Sequence, residues 1–175
     1  MPSTLRILCP VDLSPGSAEA LKLALSLARG QKAEVHVLYS YSVPHTIQPN
    51  LLVWMATGPR PVIDLAEEQA TRDLDEFIAN SNALTQGVKQ HVVHGDATSK
   101  ILEFAQENAV GLIVMGTHGR TGVARVVLGS VTETVVRRAP CPVLTVRESY
   151  AQNLEEEGDR SAQPAAGSGE PRVQH

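Results

Sequence analysis

Short aliphatic runs of strand character alternate with helical segments along most of this chain, and that alternation restricts the fold more than any other feature. The runs are Leu5–Asp12, Ala33–Tyr41, Val88–His94, residues 111–116 and Val143–Arg147. Ser14-Pro15 supplies an N-cap and a proline at the first helical position. Ala18, Leu21, Leu25 and Ala28 follow at helical spacing, with Gly30 as a stop. Val62–Leu84 reads as a charged amphipathic helix, and Gly95-Asp96-Ala97-Thr98 as a turn and cap for a helix to about Asn108. A fourth helix begins near Ser130 and ends at Pro140-Cys141-Pro142. This pattern predicts parallel βαβ units with right-handed crossovers. The expected fold is α/β: a single-domain, Rossmann-like, open five-stranded, mostly parallel sheet with helices on both faces.

Two stretches fit that pattern poorly. Pro10 cannot donate to a strand ladder, so it should mark a strand end or a bend. Residues 42–61, with Pro44, Pro49, Pro59 and Pro61, read as a long connection. Within it, Trp54 and Met55 have three readings: a lid on a ligand, packing on the body, or packing on a second subunit.

Composition limits the function classes. Aromatic residues make up only 3% of the chain, so the core must be aliphatic, as suits strands buried on both faces. No apolar run reaches membrane-spanning length and the N-terminus lacks a signal-peptide pattern. Cys9 and Cys141 read as buried thiols rather than a disulfide framework, and a cytoplasmic location is expected. Residues 148–175 carry six acids and two arginines, a local charge of −4 that equals that of the whole chain. The domain expected over residues 1–147 is therefore neutral, which argues against a nucleic-acid binder. The acidic remainder is too polar to bury a core and is expected to be a flexible tail.

The stretch with the most chemistry lies beyond the fourth strand. Leu112-Ile113-Val114-Met115 opens into Gly116-Thr117-His118-Gly119, nine residues follow, and Gly129-Ser130 leads into a helix. Glycines remove the Cβ atoms that keep an anion off the backbone, and the helix start directs N–H groups and a positive dipole end at it. Simple turn chemistry would also use glycines, and Ser130 would also serve as an N-cap. In open α/β sheets ligands bind beyond the carboxyl ends of strands. Asp12 ends the first strand: it would either brace the Ser14 turn or accept from a ribose or a hydrated Mg²⁺. Arg120 and Arg125 are surface charges or phosphate partners. His36 reads as a satisfied strand histidine. His91 and His94, three apart on a strand, face opposite sides and make poor co-ligands.

The spacing Gly116-Thr-His-Gly119, nine residues, Gly129-Ser130 resembles the nucleotide-binding motif of the universal stress protein family. Val11-Asp12 and Ala139-Pro140-Cys141-Pro142-Val143-Leu144 agree with it, and the resemblance covers roughly residues 5–147. It implies sheet order 3-2-1-4-5, a homodimer through the last strand (Val143 to Arg147), and ATP as ligand. By position, Val11, Asp12 and Val37 resemble residues near the adenosine, and Met115 and Gly116 those beneath it. Gly119, Gly129, Ser130, Val131 and Thr132 resemble the phosphate-binding group, with His118 and Arg120 beside them.

The implied function is regulatory or signalling binding of an adenine nucleotide in a stress response. Hydrolysis should be slow or absent, because no Gly-x-x-x-x-Gly-Lys-Ser/Thr loop exists and no lysine lies between Gly116 and Ser130. The competing readings are a weak ATPase and a protein-interaction subunit that binds no nucleotide. A nucleotidyl transferase would need His-x-Gly-His where Asp12-Leu13-Ser14-Pro15 stands, and a dehydrogenase Gly-x-Gly-x-x-Gly after the first strand.

Overall fold

A computed structural model describes residues 4–29, 32–44, 46–81, 87–117 and 128–147. The expected helix stop Gly30, the glycine-loop residues 118–127 and the tail 148–175 lie outside the described residues.

Strand β1 (Leu5–Val11) is central. On one side it pairs in parallel with β2 (Ala33–Tyr41), and β2 with β5 (Lys89–His94). On the other it pairs with β6 (Leu112–Gly116), and β6 with β7 (Val143–Val146). The sheet order is β5-β2-β1-β6-β7, which is the expected 3-2-1-4-5 once a separate hairpin is set aside.

That hairpin corrects the reading of residues 42–61 as an irregular connection. β3 (Leu52–Met55) and β4 (Gly58–Pro61) pair antiparallel. The two prolines hid it, because they suggest a break. They are tolerated because Pro59 and Pro61 stand opposite Trp54 and Leu52, alternating with the pairs that exchange hydrogen bonds. The next such pair is Leu51 with Val62, whose N–H donates to the Leu51 carbonyl at 2.9 Å. Pro10 also sits inside a strand, opposite Leu38, rather than at its end. It lies beyond the last β1–β6 pair, Leu8↔Ile113, so its missing donor takes nothing from that ladder.

Alternation along β1 feeds two cores. Ile7, Cys9 and Val11 join Leu21, Leu74 and Ile78 beneath α1 (Pro15–Ala28) and α2 (Val62–Asn80). Leu8 joins Leu38, Ile101, Ile113 and Val135 beneath α3 (Ala97–Glu107) and α4 (Ser130–Arg138). Helices thus cover both faces. Helix α2 ends at Asn80, short of the expected Leu84. Cys9 is fully buried and its thiol is pushed up to about 12 by desolvation, and Cys141 is half-buried; both are free.

The α3 face also holds a histidine pair. His36 Nδ1 and His91 Nε2 lie 3.0 Å apart, with rings stacked at 8° and Phe104 packed against both. His94 instead touches Tyr41 on the opposite face, as period two requires. His36 is only half satisfied. Its Nε2 is buried without a hydrogen bond, 3.6 Å from the Glu34 carboxylate. Placing the proton on that nitrogen turns an N–H toward the carboxylate and leaves Nδ1 to accept from His91. Burial lowers both pKa values, and each ring is further disfavoured as a cation by Lys89. Groups with folded pKa values below their unfolded ones contribute stability that is complete above the ordinary histidine value, near 6.5, and is lost as pH falls below it. The melting temperature should therefore fall between pH 7 and 5, and fall less in His91→Gln, which keeps a donor but cannot titrate. Identical pH profiles for the two proteins would refute this account.

Candidate functional site

The β1–β6 ladder has only two pairs, Ile7↔Leu112 and Leu8↔Ile113, whereas β1 pairs with β2 along its whole length. Between β1 and β6 the connections also turn to opposite sides of the sheet, so this is the switch point at which ligands bind in open α/β sheets. Beside it, over the carboxyl ends of β1 and β2, a cleft of about 250 Å³ is lined by Pro10, Val11 and Asp12, by Leu38 to Tyr41 of β2 with Ser42 just beyond, and by Ala97 and Ile101 of α3.

Asp12 organises the floor of this cleft. Its Oδ1 accepts from the hydroxyls of Ser14 and Ser17, both at 2.5 Å, and from the Ser14 N–H at 3.2 Å. The Asp12 N–H in turn donates to Ser17 Oγ at 3.1 Å. Ser14 caps α1 by accepting from the Ser17 N–H. Between them Leu13 adopts φ +66°, a left-handed conformation that a branched side chain visits only when its surroundings impose it. The bracing reading of Asp12 is thus built into the turn, and the same residue faces the cleft.

The second half of the site is the end of β6. The Thr117 N–H donates to the Val146 carbonyl at 3.0 Å, and the Thr117 carbonyl accepts from the Gly129 N–H at 2.9 Å. Thr132 Oγ1 donates to the Gly116 carbonyl at 2.9 Å in a buried position. These bonds fasten the start of α4 onto the carboxyl end of β6. The N-cap of α4 is Gly129, and among the described residues no side chain caps the helix. Its first-turn N–H groups, on Ser130, Val131 and Thr132, have no partner within the helix. Neither Gly116 nor Gly129 belongs to the positive-φ glycines, and Gly129 has φ −57°. Turn chemistry therefore does not explain these two; what glycine supplies is backbone without a Cβ.

The structure brings together Val11 and Asp12 at the cleft, and Gly116, Gly129, Ser130, Val131 and Thr132 at the adjoining strand end. Thr132 spends its hydroxyl on the sheet, and Val131 packs partly against the α3–α4 core. Met115 is buried in that same core. Val37 is fully buried beneath α1 and α2 and does not reach the cleft. On β2 the cleft is lined by consecutive residues Leu38 to Tyr41, nearer the strand's carboxyl end than Val37. His118, Gly119, Arg120 and Arg125 lie outside the described residues. Among the described residues no cluster of three His, Cys, Asp or Glu side chains could hold a metal, and no helix is long and apolar enough to cross a membrane.

Comparison with known proteins places this geometry in context. A family model described as the universal stress protein family matches residues 4–147. Universal stress protein MJ0531 of Methanocaldococcus jannaschii is 36% identical over 146 residues, covering 82% of each chain. The structure of universal stress protein UspA from Lactobacillus plantarum superposes with TM-score 0.62 at 27% identity, covering 84% of this chain and all of that one. A universal stress protein solved in complex with cAMP shares the fold at TM-score 0.55 and 21% identity, covering 82% of this chain and 97% of that one.

Replacing Thr132 by Val should cost about 1–3 kcal/mol in chemical denaturation, because it strands a buried carbonyl, and Ser at that position should restore most of it. A Val variant as stable as the parent would mean that the pin does not hold α4 to β6.

Proposed function

The chain belongs to the universal stress protein family, and from that premise we propose that it is a stress-response module that binds an adenine nucleotide, ATP in the first instance. The observation that carries the proposal is the helix start without a side-chain cap, fastened through Gly129 and Thr132 to the glycine end of β6. Such a start presents N–H groups that have no partner inside the helix, and a positive dipole end, to phosphate. The cleft beside it offers the Ser42 hydroxyl and the Asp12 carboxylate to a ribose or base, while Ser40, whose hydroxyl donates to the Gly95 carbonyl at 2.6 Å, can still accept. That a protein of the same fold was solved with cAMP supports the scaffold's suitability for adenine nucleotides.

Asp12 is a single carboxylate already accepting three hydrogen bonds on one oxygen. It suits a Mg²⁺ that arrives with the phosphates and keeps its waters, and not a resident metal. With no lysine in the glycine segment and no base positioned among the described residues, binding outlasts chemistry. Any hydrolysis is slow, and the nucleotide acts by holding a conformation. The apolar strand β7, paired on one side only among the described residues and with Leu144 exposed, supports a homodimer through Val143 to Arg147. We place the protein in the cytoplasm on its two free thiols, Cys9 fully and Cys141 half buried.

Calorimetric titration with ATP and Mg²⁺ should give saturable binding to the parent. In Gly119→Val the affinity should fall at least tenfold while the circular dichroism stays unchanged, and phosphate release should be negligible over the same period. Absence of binding by the parent, with no nucleotide carried through purification, would leave the protein-interaction reading. Turnover that Asp12→Ala abolishes without loss of binding would instead make it an ATPase.

A further inference from the structure

The β3–β4 hairpin is apolar where a surface hairpin should be polar. Trp54 is 81% exposed, Leu52 55%, Leu51 53% and Met55 47%, and Val53 is exposed on the opposite face from Trp54. Residues 51–57 contain no charge. The nearest cation, Arg60, is committed to a two-pronged ion pair with Glu68 of α2 at 2.6 and 3.0 Å, which anchors the base of the hairpin. An isolated two-stranded hairpin is marginal in water and is stable when a further strand or layer covers it.

Its two edges differ. Residues in the pairs that do not exchange hydrogen bonds aim their N–H and C=O groups outward. On β4 these are Pro59 and Pro61, which have no N–H to offer, so that edge is blocked. On β3 they are Leu52 and Trp54, and β3 has no other strand beside it among the described residues. One edge of the hairpin is thus an open, uncharged template, of the kind surface strands normally guard with Lys or Pro.

We propose that β3 pairs with β3 of a second copy of this chain, antiparallel about a twofold axis at Val53. That register sets Leu52 opposite Trp54 of the partner and Trp54 opposite Leu52 of the partner. All the outward N–H and C=O groups of the two residues are then satisfied, and the two hairpins form one four-stranded sheet. The patch is self-complementary, as a twofold contact demands. An anionic lipid surface or a nucleic acid would call for cations that the tip lacks. Counting both faces of the hairpin, the exposed apolar side chains offer at most about 500 Å² per copy, taking roughly 200 Å² for a whole aromatic residue. Two copies offer up to about 1,000 Å², the size from which a specific interface starts. This contact is separate from the β7 edge, which lies across the sheet from β5 and α2.

Sedimentation velocity of the full chain over a wide concentration range tests it, with emission from Trp54, the chain's single tryptophan, as an internal reporter. Association of the parent should be accompanied by a blue shift of that emission. Val53→Lys, on an exposed strand that the core does not depend on, should raise the dissociation constant of this step about tenfold or more and keep the indole red-shifted. Leu144→Lys, at the other edge, should leave the blue shift intact. The proposal falls if Val53→Lys associates like the parent, or if the indole stays fully exposed at every concentration. It falls equally if the blue shift appears only on adding ATP at constant mass, since Trp54 would then close over its own chain's ligand.

Discussion

Strand β1 must satisfy its backbone along two edges and its side chains against two layers, and the rest of the molecule is arranged to meet that demand. Its β2 edge is zipped from Leu5 to Val11, while its β6 edge is joined only at Ile7 and Leu8. The inequality has a physical source. Beyond Leu8 the strand must accommodate Pro10 and then turn through Leu13 into α1, so it leaves β6 early. Asp12 stands at the end of this strand, on the floor of the cleft over β1 and β2, because it is the residue on which the turn hinges. Packing, strain and site are here three aspects of one strand's geometry.

Most of the fold was legible because it is written in periodicity. The aliphatic run of β1 and the Ser14 and Asp96 caps are local signals with local causes, and they appear where expected. What periodicity missed was the hairpin. Leu52–Met55 is too short and too uniformly apolar to alternate, and a partner of sequence Gly-Pro-Arg-Pro argues against a strand unless its register is known. Pairing decides there, and pairing is a property of two segments at once. Pro10 was misjudged for the same reason: its cost depends on which neighbour it faces.

The site divides along similar lines. Spacing pointed to the strand end and helix start, Gly116 and Gly129 to Thr132, which the fold brings together. It did not reveal that Thr132 acts on the Gly116 carbonyl, a contact between residues on separate elements. On β2 the cleft is lined by Leu38 to Tyr41, whereas the Val37 side chain lies one step earlier, in the core beneath α1 and α2. The histidine pair was invisible because Leu38↔His91 register, and not proximity in sequence, sets His36 beside His91.

The bond from the Gly129 N–H to the Thr117 carbonyl has a consequence for how the molecule can change. It shuts the connection from β6 to α4 at its base, so the sheet and the helix meet the segment between them at one fixed gate. The Thr132 hydroxyl on the Gly116 carbonyl is a second clasp between the same two elements. Parting the strand end from the helix start requires both bonds to break, so the two ends move as one piece.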